Sequence, residues 1–389
     1  MKTTRSTAGS AAIKIHSRHA FAIGRACWIF GLGLALALPA AATSFTVVNL
    51  VTDDQSVNAA QITDPNLRNA WGISYGPTSP FWVSSNEVGL SALYRVDPLT
   101  NVITKLGLEV TIPGAGNVTG QVSNPGAAAG SFNGDAFLFV SEDGTISGWR
   151  GALGTTAEVL QVGSADNSYK GAAVSVINGN AYLYAADFAG NHIDILKGNA
   201  GAPDLAATFT DPGIPAGYAP FNIQNLGGTL YVTYALRDPV TGDDVSGLGN
   251  GFVSAFDLQG NFLGRIGSDG MLNSPWGLAR APLSFGQFAG DLLVGNFGDG
   301  HINVFDAGNN FIGQLLGRGG IPVEIDGLWG LIPGNGGGAG NPQSIYFSAG
   351  PGGEEHGLFG VLAVPEPASM ALVALAIAML GVARRRTGA

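Results

Sequence analysis

The chain has 389 residues, of which 61 are glycine, 46% are hydrophobic and only 12% are charged, with a formal net charge of −10. Glycine at about twice its usual ~7% and charge at about half the usual ~25% exclude a coiled coil, a charged disordered tail and a typical helical bundle; the glycines keep no three-residue period, which excludes collagen. The acidic balance excludes a nucleic-acid partner, which needs clustered Lys and Arg.

The chain opens with Lys2, Arg5, Lys14, Arg18 and Arg25 and no acid, followed by an apolar run over 26–38 and then Pro39-Ala40-Ala41-Ala42. A basic start, a short apolar middle and a small-residue cleavage site predict a signal-peptide helix over 1–42, removed by signal peptidase after Ala42. Cys27, the only cysteine, leaves with it, so the exported product has no disulfide.

From residue 43 a degenerate repeat takes over. A short apolar strand with a polar end, a glycine-containing turn and a second strand recur six times. The copies start at Phe81-Trp82-Val83-Ser84, Phe137-Leu138-Phe139-Val140, Tyr182-Leu183-Tyr184-Ala185, Leu230-Tyr231-Val232-Thr233, Leu292-Leu293-Val294-Gly295 and Ile345-Tyr346-Phe347-Ser348. Most are preceded by a third strand, as in Ala70-Trp71-Gly72-Ile73, Pro220-Phe221-Asn222-Ile223, Pro275-Trp276-Gly277-Leu278 and Leu328-Trp329-Gly330-Leu331. Several have a fourth, as over 157–162 and 261–266. Four strands in about 50 residues, six times over, predict an all-β, six-bladed β-propeller over 43–363. No stretch of that region shows helical periodicity over eleven or more residues.

Glycine in the innermost strand lets strands crowd around a narrow axis, and the neighbouring Trp or Phe is expected to fill the wedge between blades. The sixth unit supplies only three strands, while Phe45 to Leu50 stands unpartnered before the first. That segment is expected to complete the sixth blade from outside and close the ring, removing an exposed edge.

The candidate chemistry is sparse. His192 and His301 occupy the same repeat position and read as solvent-facing hairpin residues, and no His or Cys cluster has zinc spacing. There is no phosphate loop. The insertion 237–244 carries Asp238, Asp243 and Asp244, hard oxygen ligands that make Ca²⁺ the one cofactor to consider, although their spacing matches no EF-hand or RTX pattern and a solvated acidic loop explains them better. Acids at strand ends (Glu142, Asp143, Asp187, Asp299) suit Asx-type hairpin caps. Propellers bind ligands at the channel mouth, which selects Trp71, Tyr218, Asn222, Trp276 and Trp329 as candidate ligand-binding residues, the Trp residues serving as fillers or as a carbohydrate platform.

Residues 364–389 close the chain with Val364-Pro365-Glu366-Pro367, an apolar run over 368–383 and Arg384-Arg385-Arg386. A 16-residue helix spans about 24 Å, short of the ~30 Å hydrocarbon core but able to cross with arginine snorkelling. These three parts in order resemble the PEP-CTERM sorting signal of Gram-negative bacteria. The resemblance implies a single transmembrane sorting helix, recognition by an exosortase, a tether in the inner membrane before processing, and delivery to the cell surface or extracellular polysaccharide matrix. Without both ends the domain holds 10 basic and 27 acidic residues, a net charge near −17 (10 minus 27), so the membrane is met only through the terminal segments.

Tyr182, Tyr184, Ala185, Asp187, Phe188, Asn191, His192 and Ile193 resemble the NHL-repeat type of propeller. The domain over about 45–362, with Gly217 to Gln224 and Asp326 to Leu331, is similar to a family of PEP-CTERM-associated propellers, a resemblance that implies no activity. Address and architecture together point to a binding or structural protein of the cell surface, with extracellular polysaccharide or an envelope protein as partner. Two alternatives stand beside it. One is a calcium-dependent propeller hydrolase or lactonase, which gathers acids and amides around a channel metal, and the other is a protein–protein scaffold.

Overall fold

A computed structural model describes residues 44–364 except 116, 207 and 269. The described residues all belong to one compact unit. The expected signal helix and sorting helix lie outside them.

Six antiparallel sheets follow one another along the chain. Blade 1 comprises Ala70–Ser74, Phe81–Ser85, Leu90–Val96 and Ile103–Thr111, and blade 2 comprises Val118–Ser123, Phe137–Ser141, Ile146–Trp149 and Glu158–Gln161. Blade 3 has Tyr169–Ile177, Asn180–Asp187 and His192–Lys197; blade 4 has Tyr218–Leu226, Thr229–Leu236, Gly251–Phe256 and Phe262–Ser268. Blade 5 is built from Pro275–Arg280, Leu292–Asn296, Ile302–Phe305 and Phe311–Gln314, and blade 6 from Leu328–Pro333, Ile345–Ala349 and Leu358–Ala363. Blade 6 takes its fourth strand, Thr46–Thr52, from the start of the domain, antiparallel to Leu358–Ala363 with Thr46 opposite Ala363 and Thr52 opposite Leu358. The ring is closed where the sequence predicted, and the short strand Ile62–Thr63 adds in parallel outside it. The first strands of the blades touch one another in ring order around the axis.

Period-two side-chain alternation explains why the sheets stack. In Asn180–Asp187, Tyr182, Tyr184 and Ala186 pack toward blade 4, while Ala181, Leu183 and Ala185 pack toward blade 2. In Phe81–Ser85, Phe81 and Val83 face blade 6 and Trp82 faces blade 2. Each of the six gaps between blades therefore holds its own apolar cluster. Second strands, covered on both faces, are buried along their whole length in Phe81–Ser85 and Leu292–Asn296 and everywhere but their ends in Asn180–Asp187 and Thr229–Leu236, whereas Phe311 and Ile312 of an outer strand are exposed.

Blade 3 departs from the repeat in having three strands. The position of its fourth falls on a stretch broken by Gly198, Gly201 and Pro203, and proline cannot donate to a ladder. The helices among the described residues are six short 3-10 turns, and none is long and apolar enough to cross a membrane.

Candidate functional site

In every blade the innermost strand slips register against its neighbour at the same place: between Ala70 and Ile73, Val118 and Gln121, Tyr169 and Gly171, Pro220 and Asn222, Pro275 and Gly277, and Leu328 and Leu331. Such bulges increase local twist and turn the strand toward the axis. Close approach there demands glycine. A methyl on Gly72 would lie 2.3 Å from the Thr119 carbonyl oxygen of the next blade, and one on Gly277 would lie 2.6 Å from that of Trp329. Blade 4 carries Asn222 instead, and its carboxamide makes use of the proximity, donating to the Trp276 carbonyl at 2.8 Å and accepting from the Ile223 N–H at 2.8 Å.

Aromatic rings from five blades meet midway along the axis. Trp71 of blade 1 stacks on Trp329 of blade 6 at 3.6 Å, and Phe297 stacks on the other face of this set at 3.9 Å from Trp329. Trp276 meets Trp329 edge-on at 5.9 Å, and Phe221 and Phe188 complete the plug. The tryptophans expected to fill wedges between blades thus fill the centre of the ring instead.

Where the inner strands begin, a charged mouth lies against this plug. Lys170 is buried, pairs with Glu142 and stands 5.2 Å over the Trp71 ring. Asn86 donates to Glu142 at 3.2 Å; Trp329 Nε1 donates to Asn69 Oδ1 at 2.9 Å, and Asn69 donates to Glu354 at 2.7 Å. Burial pushes the Glu354 carboxyl above its usual range, against the opposing pull of Asn69 and Lys170. Asp244 is raised by burial as well, and its Oδ2 is buried without a partner. The ammonium of Lys170 is thus the cation facing the axial carboxylates.

Where the inner strands end, the other mouth opens into a cavity of about 770 Å³. Its walls are aliphatic (Ile73, Val122, Val174, Ile332), with Tyr75 at the side and Trp276 at its inner end. Carboxamides and hydroxyls alternate with them, and none of the lining residues is Asp, Glu, Lys, Arg or His. Asn124, Asn222 and Asn225 spend their carboxamides on backbone groups, and Gln121 donates to the Gly72 carbonyl while accepting from the Ser91 hydroxyl. The side-chain polar groups left for a ligand are those of Ser123, Gln224 and Tyr75. The Ser74 hydroxyl is buried with no partner, and burial pushes the Tyr75 phenol up to about 12, so it is a neutral donor at any physiological pH.

The five residues selected from sequence divide between these features. Asn222 and Trp276 line the neutral cavity. Trp71 and Trp329 belong to the plug, 2% and 1% exposed. Tyr218 lies at the start of blade 4, edge-on to Phe252 at 4.7 Å. In the insertion, Asp238 turns outward and caps the Val240 and Thr241 amides at 2.7 and 3.0 Å, away from the inward Asp244, and Asp243 is exposed between them. As expected of Asx-type caps, Asp143 accepts from the Thr145 amide and Asp299 from that of His301. Sequence reasoning missed Lys170, Glu354 and the cavity's free hydroxyls, because none belongs to a local motif.

A PEP-CTERM protein-sorting motif matches residues 363–386, which marks the chain for export and processing by an exosortase. An uncharacterized protein of Acanthamoeba polyphaga mimivirus is 33% identical over 318 residues, covering 75% of this chain and 74% of that protein. A second from the same virus is 34% identical over 333 residues, 80% and 84% respectively. Among solved structures, selenomethionine-substituted virginiamycin B lyase from Staphylococcus aureus aligns with 82% of this chain and 100% of its own at 14% identity and a TM-score of 0.48. An alpha-L-arabinanase from Penicillium chrysogenum complexed with arabinobiose aligns with 83% and 99% at 12% identity and a TM-score of 0.48. At these values the likeness says nothing of what this chain binds.

Proposed function

This chain belongs to the family of the two mimivirus proteins and carries a PEP-CTERM protein-sorting motif, and from that premise we propose that its propeller is a saccharide-binding component of the cell surface or extracellular polysaccharide matrix of a Gram-negative bacterium. Signal peptidase and an exosortase act on its two ends, and the inner membrane holds it in between. The ligand is an uncharged glycan taken into the cavity at the ends of the inner strands.

One observation carries this reading: a domain with 27 acidic residues presents a cavity of about 770 Å³ whose lining holds no charged side chain. That volume is within the range of small-molecule sites, about 300–1,000 Å³. Aliphatic walls match the C–H faces of a sugar, and Ser123, Gln224 and the Tyr75 hydroxyl supply donors and acceptors for its hydroxyls. A charged ligand would lose its hydration there with nothing to replace it.

The test is calorimetric titration of the purified protein with neutral oligosaccharides and with their uronate counterparts. Saturable binding of a neutral member is expected, weakened several-fold by Gln224→Ala through loss of about 1 kcal/mol of hydrogen bonding. Lys170→Met, at the opposite mouth, leaves it unchanged. A flat response to every neutral glycan, or preference for the uronates, refutes the reading. The calcium-dependent hydrolase alternative draws on Glu142, Asp244 and Glu354, but there the ammonium of Lys170 already supplies positive charge.

A further inference from the structure

The second and third strands of blade 3 form a hairpin that places Asp187 opposite His192. Asp194 lies two residues further on, so the pleat puts it on the same face as His192. One ligating atom from each of the three lies within 4.8 Å of the others. His192 Nε2 is 2.9 Å from Asp194 Oδ1 and 3.9 Å from Asp187 Oδ2. Asp187 is fully buried, whereas His192 is about half exposed, with a side-chain accessibility of 49%.

The other ring nitrogen decides what this geometry means. His192 Nδ1 is 2.9 Å from the Gly190 carbonyl oxygen, which can only accept, so Nδ1 carries the hydrogen. Nε2 is left aimed at two carboxylates. A bare imidazole lone pair is repelled by theirs, so a positive centre has to lie between. The surrounding hydrogen bonds are those of a ligand set held in place. Tyr169 donates to Asp194 Oδ2 at 2.6 Å, Asn167 donates to Asp187 Oδ2 at 2.6 Å, and the Ser168 and Gly190 amides both donate to Asp187 Oδ1 at 2.9 Å. Metal-binding histidines characteristically give their second N–H to a backbone carbonyl in this way, and their carboxylate co-ligands are themselves hydrogen-bonded.

We propose that Asp187, His192 and Asp194 form a divalent transition-metal site, filled by Zn²⁺, with its fourth position open to solvent. Tetrahedral zinc with bonds near 2 Å sets its ligands about 3.3 Å apart, and the separations of 2.9 and 3.9 Å bracket that value. The imidazole selects zinc-like ions over Ca²⁺ and Mg²⁺, which prefer all-oxygen shells. The site is independent of the neutral cavity and of any glycan bound there.

The test is titration of the chelator-treated, purified full-length protein with ZnCl₂ at pH 7, followed calorimetrically. One zinc per chain is expected, with Ca²⁺ failing to compete. His192→Gln, at a half-exposed position that tolerates change, should weaken binding at least tenfold, and Asn167→Ala about tenfold or more through loss of the orienting bonds. His301→Gln, in the equivalent hairpin of blade 5, should have no effect. Cobalt in place of zinc should give the visible absorption of a tetrahedral ion. Absence of stoichiometric zinc, or equal affinity in the His192→Gln protein, overturns the proposal and leaves a proton as the positive centre.

Discussion

The indole of Trp71 lies flat on that of Trp329, with centroids 3.6 Å apart and planes 13° apart, joining the first blade to the last at the axis. Trp329 also receives Phe297 at 3.9 Å and gives its N–H to Asn69, so one side chain ties blades 1, 5 and 6 together. Trp329→Ala removes these contacts from a fully buried site and should cost about 3–5 kcal/mol. Urea unfolding checks this, and a midpoint unchanged from the parent would mean the plug carries little of the stability.

Glycine at the inner-strand bulge is a steric requirement. Gly72→Ala drives a methyl against the Thr119 carbonyl, a backbone atom unable to swing away, and should destabilise by about 1–3 kcal/mol. Gly107, in the outer strand of the same blade, has no atom within 4 Å of a methyl placed there, so Gly107→Ala should be neutral or slightly stabilising. Equal effects at the two positions would contradict the crowding argument.

The Asp135 carboxyl is enclosed, with Oδ1 accepting from Arg150 at 2.8 Å and Oδ2 buried without a partner. Burial pushes its pKa up to about 6, even with the guanidinium beside it. The folded protein therefore holds this proton more tightly than the unfolded chain, whose carboxyl titrates near 3.8. Its contribution to stability is complete below about pH 4 and is lost as pH rises toward 6. Over that window the parent should lose stability relative to Asp135→Asn. Parallel pH profiles of the urea midpoint would rule the effect out.

Removing the ammonium at the charged mouth leaves Glu142 facing the interior unpaired. Lys170→Met should cost about 1–3 kcal/mol at neutral pH, less than a wholly buried pair because Glu142 keeps some contact with solvent. The gap should narrow as pH falls, because burial raises the Glu354 and Asp244 carboxyls that face the same ammonium. A cost independent of pH would instead indicate lost packing over Trp71.

Processing depends on the matched motif. Exchanging Pro365, Glu366 and Pro367 together for alanine should leave the unshortened chain in the membrane fraction, as read by immunoblot. Unaltered maturation would show that the triplet is dispensable.

The architecture was legible because each blade repeats a local pattern. Strands such as Tyr182–Ala185 alternate between two neighbours, and the unpaired segment before the first repeat had one place to go. The inner-strand glycines were legible too, since crowding at an axis leaves no room for a side chain. What the sequence hid is assembled across the ring. The cavity draws on residues from 73 to 332, and its neutrality emerges only when blades 1 to 6 are brought together. Lys170 sits in an unremarkable Tyr-Lys-Gly run, and its partner Glu142 is in the preceding blade. The Asp187–His192–Asp194 group did leave a trace: a hairpin pairs the first two, and a strand sets the third beside the second. Spacing rules written for helices and zinc fingers do not detect that pattern.

Thr46 and Ala363 face each other as the first paired residues of neighbouring antiparallel strands. Tension between these two points would act across the ladder, parting its hydrogen bonds one rung after another like a zip. Pulled by its two ends, the wheel would therefore open at blade 6 under modest force, while the other five blades stay out of the load path.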